Sequence, residues 1–281
     1  MRLFRYFDAV GGLATLTTRE VRFSNPMGFN DPFELTPRIS KPSDELLLDR
    51  LLAEHLVEDY FQSVGLPKGM SREESSSEYH AIELPKRFLK LQDQKGWEHK
   101  ASRLKWEMVK TFSDGFRVLC CSNREDSILM WSHYAAKHTG IVIEFDVDEL
   151  FPGMSLTDYF REVRYRSSPP TISGLHVDLQ SFEKAMELAL TTKALEWAYE
   201  EEVRIMMPVT LLKGGNDHRH KTFDPKGIKR VIVGCMMDTR SSEYQEIDNL
   251  ADQPAYRHAV FQRAALHGED YRLQFASRPR K

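Results

Sequence analysis

The sequence predicts an α+β fold, a mixed or antiparallel sheet with helices to its sides. Three observations carry that expectation. Stretches of strand character and stretches of helical periodicity do not alternate regularly, as a doubly wound parallel sheet would require. The strongest strand, Ile141 to Phe145 (IVIEF), is a short apolar run. No repeat of fixed period runs through the chain, which argues against solenoid and propeller architectures.

From the N-terminus, Leu3 to Tyr6 alternates as a first strand, followed by Gly11-Gly12 and a second extended stretch from Thr17 to Phe23, with turn residues Asn25-Pro26 behind it. Asn30-Asp31-Pro32 is a further stop. Ser43 can cap a helix whose apolar residues recur from Leu47 to Tyr60. The polar stretch Pro67 to Glu78 reads as a loop, and Pro85 to Phe112 as a helical region interrupted by Gly96. Arg117 to Ser122 returns to strand character. Asp126 can cap a helix carrying Leu129, Met130, His133 and Tyr134, ended by Thr139-Gly140. Val163 to Tyr165 is a short strand, Leu179 to Tyr199 has helical periodicity, and Glu202 to Met207 alternates until Pro208 closes it. Arg230 to Gly234 reads as a buried strand, Ser241 to Leu250 as a surface helix and Tyr271 to Phe275 as a last strand.

The 281 residues, 41% of them hydrophobic, can bury one full core, so residues 1–281 read as a single domain with a helical insertion at about 40–115. Lys and Arg number 39 against 42 Asp and Glu, a formal charge of −3, which excludes a global positive field for nucleic acid or anionic lipid. The N-terminus lacks an apolar stretch of signal-peptide length, and the run around Val231 to Met237 is too short to span a bilayer. A cytoplasmic protein with no membrane partner is expected. Cys120, Cys121 and Cys235 match neither a disulfide framework nor a CxxC metal site, so reduced thiols are expected.

Four constellations could carry chemistry. In Tyr199 to Ile205 (YEEEVRI), a strand's period of two puts Glu200, Glu202 and Arg204 on one face. That face reads either as a solvated edge with a salt bridge or as a site in which one carboxylate needs a cation, a substrate hydroxyl or a raised pKa. Trp131, Tyr134 and His138 fall about a helical turn apart, beside His133, and such a stripe either stacks on a planar ring or packs as an ordinary amphipathic face. Phe29 to Glu34 (FNDPFE) is a turn in which Asn30 and Asp31 can bond their own backbone. Arg5 and Tyr6 end an otherwise apolar strand, where a phosphate would serve as partner. The loop Asp217 to Lys221 carries two His without a third ligand, a poor metal signal. No P-loop, dinucleotide GxGxxG or HExxH signature is present.

FNDPFE at Phe29 to Glu34, LMWSHYAAKHTGIVIEFD at Leu129 to Asp146, VRY at Val163 to Tyr165 and KALEWAYEEEVRI at Lys193 to Ile205 together resemble the bacterial domain-of-unknown-function family 2971. The resemblance runs from the first strand to about Gly234. It names no activity. A weaker resemblance links Arg5 in LFRY, Ser122 in LCCS and Glu200 with Glu202 in EEEVRI to the ADP-ribosyltransferase superfamily. The sequence departs from that pattern in reading Cys-Cys-Ser on the middle strand and in its long insertion.

That second resemblance implies a split-sheet core, NAD as substrate, no metal, and transfer of ADP-ribose to an unknown protein or nucleic-acid acceptor, in a toxin or phage-defence effector. A toxin would carry a neutralising partner. Glu202 would stabilise the oxocarbenium-like state and Glu200 would orient or deprotonate the acceptor. Arg5 would hold the pyrophosphate and Trp131 or Tyr134 would stack on a ring, with Tyr6, Asn30, Asp31, Ser122, His133 and Arg204 completing the binding set. Two other readings remain open at this point: a non-catalytic nucleotide or nucleic-acid sensor using the basic loop Lys213 to Lys229, and a metal-dependent hydrolase or nuclease in which the Glu residues, Asp31 and His133 hold the ion.

Overall fold

The computed structural model describes residues 1–40, 96–154, 159–173, 179–213 and 219–278. The helix expected from Ser43 to Tyr60, the polar stretch Pro67 to Glu78, the start of the helix expected from Pro85, and Asp217-His218 lie outside these residues. Contacts divide the chain into two compact units, one of residues 1–34, 112–168 and 191–281, the other within 35–111 and 169–190.

In chain order the strands are β1 (Arg2–Phe7), β2 (Glu20–Arg22), β3 (Arg38–Ser40), β4 (Phe116–Ser122), β5 (Ile141–Asp146), β6 (Phe160–Glu162), β7 (Arg164–Arg166), β8 (Thr171–Ser173), β9 (Thr192–Ala194), β10 (Glu202–Pro208), β11 (His220–Thr222), β12 (Ile228–Val233), β13 (Val260–Leu266) and β14 (Leu273–Ser277). The α-helices are α1 (Ala9–Thr18), α2 (Gly96–Gly115), α3 (Ile128–Tyr134), α4 (Val147–Leu150), α5 (Leu179–Leu190) and α6 (Ser242–Leu250). Within the second unit β3 pairs with β8 in parallel.

The first unit is built on an eight-stranded sheet in the order β14-β13-β12-β5-β1-β4-β10-β6. Only β12 and β13 run parallel, so the sheet is mixed, as the irregular order of elements predicts. Alternation along the strands gives it two apolar faces. Leu3, Leu119, Ile143, Val203 and Val231 join Leu16 of α1 and Ile247 and Leu250 of α6 in the larger core. Phe4, Tyr6, Val142 and Ile232 pack with Met130 and Trp131 of α3 on the other. Among the described residues no helix is long and apolar enough to cross a membrane.

Several expectations shift. Gly11-Gly12 lies inside α1, because Asp8 caps that helix by accepting from the Gly11 amide at 2.6 Å. A Cβ on Gly12 would sit 2.4 Å from the Ile141 side chain, so the glycine lets the helix lie close on β5. Ser127 rather than Asp126 caps α3, and α3 ends at Tyr134; Ala136, Lys137 and His138 follow with φ of 48°, 55° and 67°. The helix expected from Leu179 to Tyr199 stops at Leu190, where the β-branched pair Thr191-Thr192 turns the chain into β9, parallel to β7. A 3-10 helix, Leu195–Glu200, then leads to β10. Val163 itself separates β6 from β7, and β13 had no counterpart in the sequence reading.

β1 and β4 share a single register pair, Phe4 with Ser122. Further along, Val118 of β4 exchanges both backbone hydrogen bonds with Ser24 instead, at 2.7 and 2.9 Å. The sheet therefore opens between β1 and β4. β10 pairs with β4 along its whole length, Glu202 opposite Ser122 and Arg204 opposite Cys120.

Candidate functional site

A cavity of about 460 Å³ lies at that opening. Arg5, Tyr6, Asn30, Ser122, His133, Tyr134, Glu200, Glu202 and Arg204 all line it, together with Glu34 and Lys193. Segments far apart in sequence thus converge as expected. Their arrangement differs from a single strand face. Glu202 and Arg204 lie on β10, but Glu200 ends the preceding 3-10 helix, and Glu201 between them takes a left-handed φ of 42°. Glu200 is tied back to the cluster by a cation that the sequence reading had not assigned.

That cation is Lys193 of β9, whose Nζ lies 2.5 Å from Glu200 Oε2, 3.3 Å from Glu202 Oε2 and 3.9 Å from Glu34 Oε1. Arg204 donates to Glu202 through Nε at 2.8 Å and Nη2 at 2.9 Å, and also pairs with Glu34. Its guanidinium stands 4.9 Å over the Phe29 ring. All five charged side chains are buried, so three carboxylates share two cations away from bulk water. Glu34 and Lys193 sit inside FNDPFE and KALEW; the signal that could have found them is that two buried carboxylates on the EEEVR stretch demand more positive charge than Arg204 supplies.

The electrostatics follow from that geometry. Burial raises the Glu202 carboxyl, but the charge and hydrogen bonds of Arg204, with Lys193, outweigh it and hold it at about 2, so Glu202 is ionised. Burial raises Glu200 above the usual carboxylate range despite Lys193 and Tyr134, and burial likewise raises Glu34. For Lys193, burial favours the neutral amine, but the three carboxylates win and keep the ammonium. Tyr134 donates to Glu200 Oε1 at 2.7 Å, and burial followed by the Glu200 charge raises its phenol well above normal.

Arg5 is the opposite case. Among the described residues its Nη1 is buried with no hydrogen-bond partner, and burial lowers its pKa. The guanidinium lies 5.3 Å from the Phe7 ring centroid. A desolvated, unpaired guanidinium is costly unless an anion completes it.

Other assigned residues have duties of their own. Ser122 is fully buried; its Oγ donates to the Glu200 carbonyl at 2.5 Å and accepts from the Arg124 amide at 3.0 Å, pinning the end of β4 to the Glu200 turn. Tyr6 donates to the Arg124 carbonyl at 2.9 Å. Asn30 sits beside the Tyr134 hydroxyl and works against the upward shift of that phenol. Two assignments need correction. Trp131 is 0% exposed, its Nε1 donating to the Glu125 carbonyl at 2.7 Å, so it packs in the core and offers no face to a ligand. Asp31 does not line the cavity; its Oδ1 accepts from the Phe33 amide at 2.9 Å, the turn duty its place in FNDPFE suggested. His138 leaves the helical stripe and stacks on Trp131, with ring centroids 6.1 Å apart. Among the described residues no group of three or more His, Cys, Asp or Glu is placed to hold a metal ion.

The model of a family described as protein of unknown function (DUF2971) matches residues 130–205. Over that segment the chain is similar to this family. No curated protein and no solved structure matches the chain. The matched segment contains His133, Tyr134, Lys193, Glu200, Glu202 and Arg204. Arg5, Asn30, Glu34 and Ser122 reach the same cavity from outside the segment.

Proposed function

We propose that this cavity binds NAD and breaks its nicotinamide glycosidic bond, transferring ADP-ribose to an acceptor. The observation that carries the reading is that Arg5, Ser122 and Glu202 line one cavity, on three neighbouring strands, where the sheet opens between β1 and β4. These are the positions at which the chain resembles the ADP-ribosyltransferases.

The chemistry suits the charges. The unpaired Arg5 guanidinium takes the pyrophosphate through charge-assisted hydrogen bonds. The C1′–N bond breaks with its electron pair leaving on nicotinamide, which departs neutral, and positive charge develops on the ribose. Glu202, ionised even in acid because Arg204 holds it there, stabilises that charge. The acceptor oxygen or nitrogen bonds to C1′ and gives up its proton. Glu200, whose carboxyl burial raises above its ordinary value and so makes a better proton acceptor, receives it. Ser122 acts by position, fixing the Glu200 turn against β4.

A second reading, a sensing module that binds a nucleotide without turnover, is favoured by one observation: Glu200 and Glu202 already accept from Lys193, Arg204 and Tyr134, so neither stands idle. Purified protein incubated with NAD labelled in the adenylate, with and without cell lysate, separates the two. Nicotinamide release or label transfer by the wild type, lost in Glu202→Gln, supports the transferase. Tight nucleotide binding with no release under either condition overturns it in favour of the sensor. The acidic cluster alone would be compatible with both.

A further inference from the structure

Arg5 and the carboxylates account for the charged parts of the cavity, and an aromatic group adjoins it at His133. His133, exposed on α3, lines the cavity and packs against two rings of the Leu195–Glu200 3-10 helix. Its ring centroid lies 6.5 Å from that of Trp197 and 6.3 Å from that of Tyr199, and Trp197 and Tyr199 are 6.0 Å apart. Both of these rings are half-buried, unlike the fully enclosed Trp131, and Tyr199 packs against the core around Trp131, so the trio is a partly open surface backed by that core. The Lys193 ammonium sits 4.8 Å from the Trp197 centroid, a cation–π contact that fixes this ring to the charged network. A partly open aromatic surface next to a cavity in which a buried Arg5 nitrogen lacks a hydrogen-bond partner matches a ligand that joins a planar ring to a phosphate.

We infer that His133, Trp197 and Tyr199 form a seat for a nucleobase-sized planar ring, whose ligand carries the phosphate that pairs with Arg5. The inference rests on the nucleotide-binding reading above and adds to it a stacking subsite supplied by Trp197. Stacking on an aromatic side chain tolerates any flat heterocycle, so the seat selects for the presence of a ring rather than for its edge pattern.

Calorimetric titration of the full chain with AMP, nicotinamide mononucleotide and ribose 5-phosphate tests it, using wild type, Trp197→Leu and Trp197→Phe, each checked by thermal melting. The wild type should bind at least one ring-bearing probe about tenfold or more tighter than ribose 5-phosphate. Trp197→Leu should erase that difference while leaving ribose 5-phosphate affinity unchanged, and Trp197→Phe should keep most of it. If Trp197→Leu melts early, Tyr199→Leu serves the same comparison. Equal affinity of all three probes in the wild type, or a Trp197→Leu loss shared equally by ribose 5-phosphate, overturns the seat. Nicotinamide release from NAD alongside such ring-independent binding leaves the transferase reading intact. Binding of no probe, with no release, overturns both.

Discussion

At the scale of single residues, two cations of one cavity carry opposite expectations. Lys193 neutralises parts of three carboxylates, and its loss would leave Glu34, Glu200 and Glu202 facing Arg204 alone. Lys193→Met should therefore cost about 3–5 kcal/mol, as removing one partner of a buried ion pair does, measured by urea unfolding. Arg5 Nη1 has no hydrogen-bond partner to lose. Arg5→Leu should raise stability, by about 1–3 kcal/mol, because it removes a desolvated polar group, and the same substitution should abolish nucleotide binding. A destabilised Arg5→Leu that still binds NAD would contradict the anion-binding role. Glu202→Gln keeps the shape of the side chain but not its charge, so turnover should fall about 10²–10³-fold, the usual cost of one electrostatic contact to the transition state.

At the scale of elements, the sheet opening positions the site, and α1 is fitted closely to the sheet. Gly12 marks that fit, and Gly12→Ala should destabilise by about 1–3 kcal/mol, since its methyl would have to displace the Ile141 side chain on β5. A thermal melt unchanged in Gly12→Ala would show that α1 can shift off the sheet. The alternation of β1 and β10 and the apolar stretches of β4, β5 and β12 were legible in the sequence because each strand buries one or both of its faces. The two glycines of α1 read as a turn, since helix propensity alone cannot register the close approach to Ile141 that favours them. Likewise the parallel pairing of β7 with β9 is a long-range contact, and nothing local in Thr192 to Ala194 announces it. The site followed the same rule. Glu202, Arg204, Arg5 and Tyr134 stood out by residue type and spacing, whereas Lys193 and Glu34 reached the cluster through tertiary packing. Trp131 was misassigned because periodicity marks a helix face without telling which face is buried.

At the scale of the whole molecule, the coupled carboxylates set the acid response. Glu202 titrates at about 2 in the folded chain against an ordinary 4.5, a depressed pKa. Its contribution to stability is thus fully present above about pH 4.5 and is lost as pH falls towards about 2. Glu34 and Glu200 are raised, so their ionisation opposes folding and their effect has the other sign, growing as pH rises above the ordinary carboxylate value. Followed from pH 7 down to 2, the unfolding free energy of the wild type should lose an acid-dependent part that Glu202→Gln lacks. Parallel curves would mean that Glu202 is not the ionised anchor of the network.

The most direct test of NAD cleavage is the rate of free nicotinamide formation from NAD by purified wild-type protein, set beside Arg5→Leu and Glu202→Gln at equal folded concentration. Release by the wild type, with both variants at least about a hundredfold slower, is the outcome expected if the cavity at the β1–β4 opening is a glycosidic-cleavage site. Release that is unchanged in both variants, or nucleotide bound tightly by the wild type with no nicotinamide formed, would contradict it.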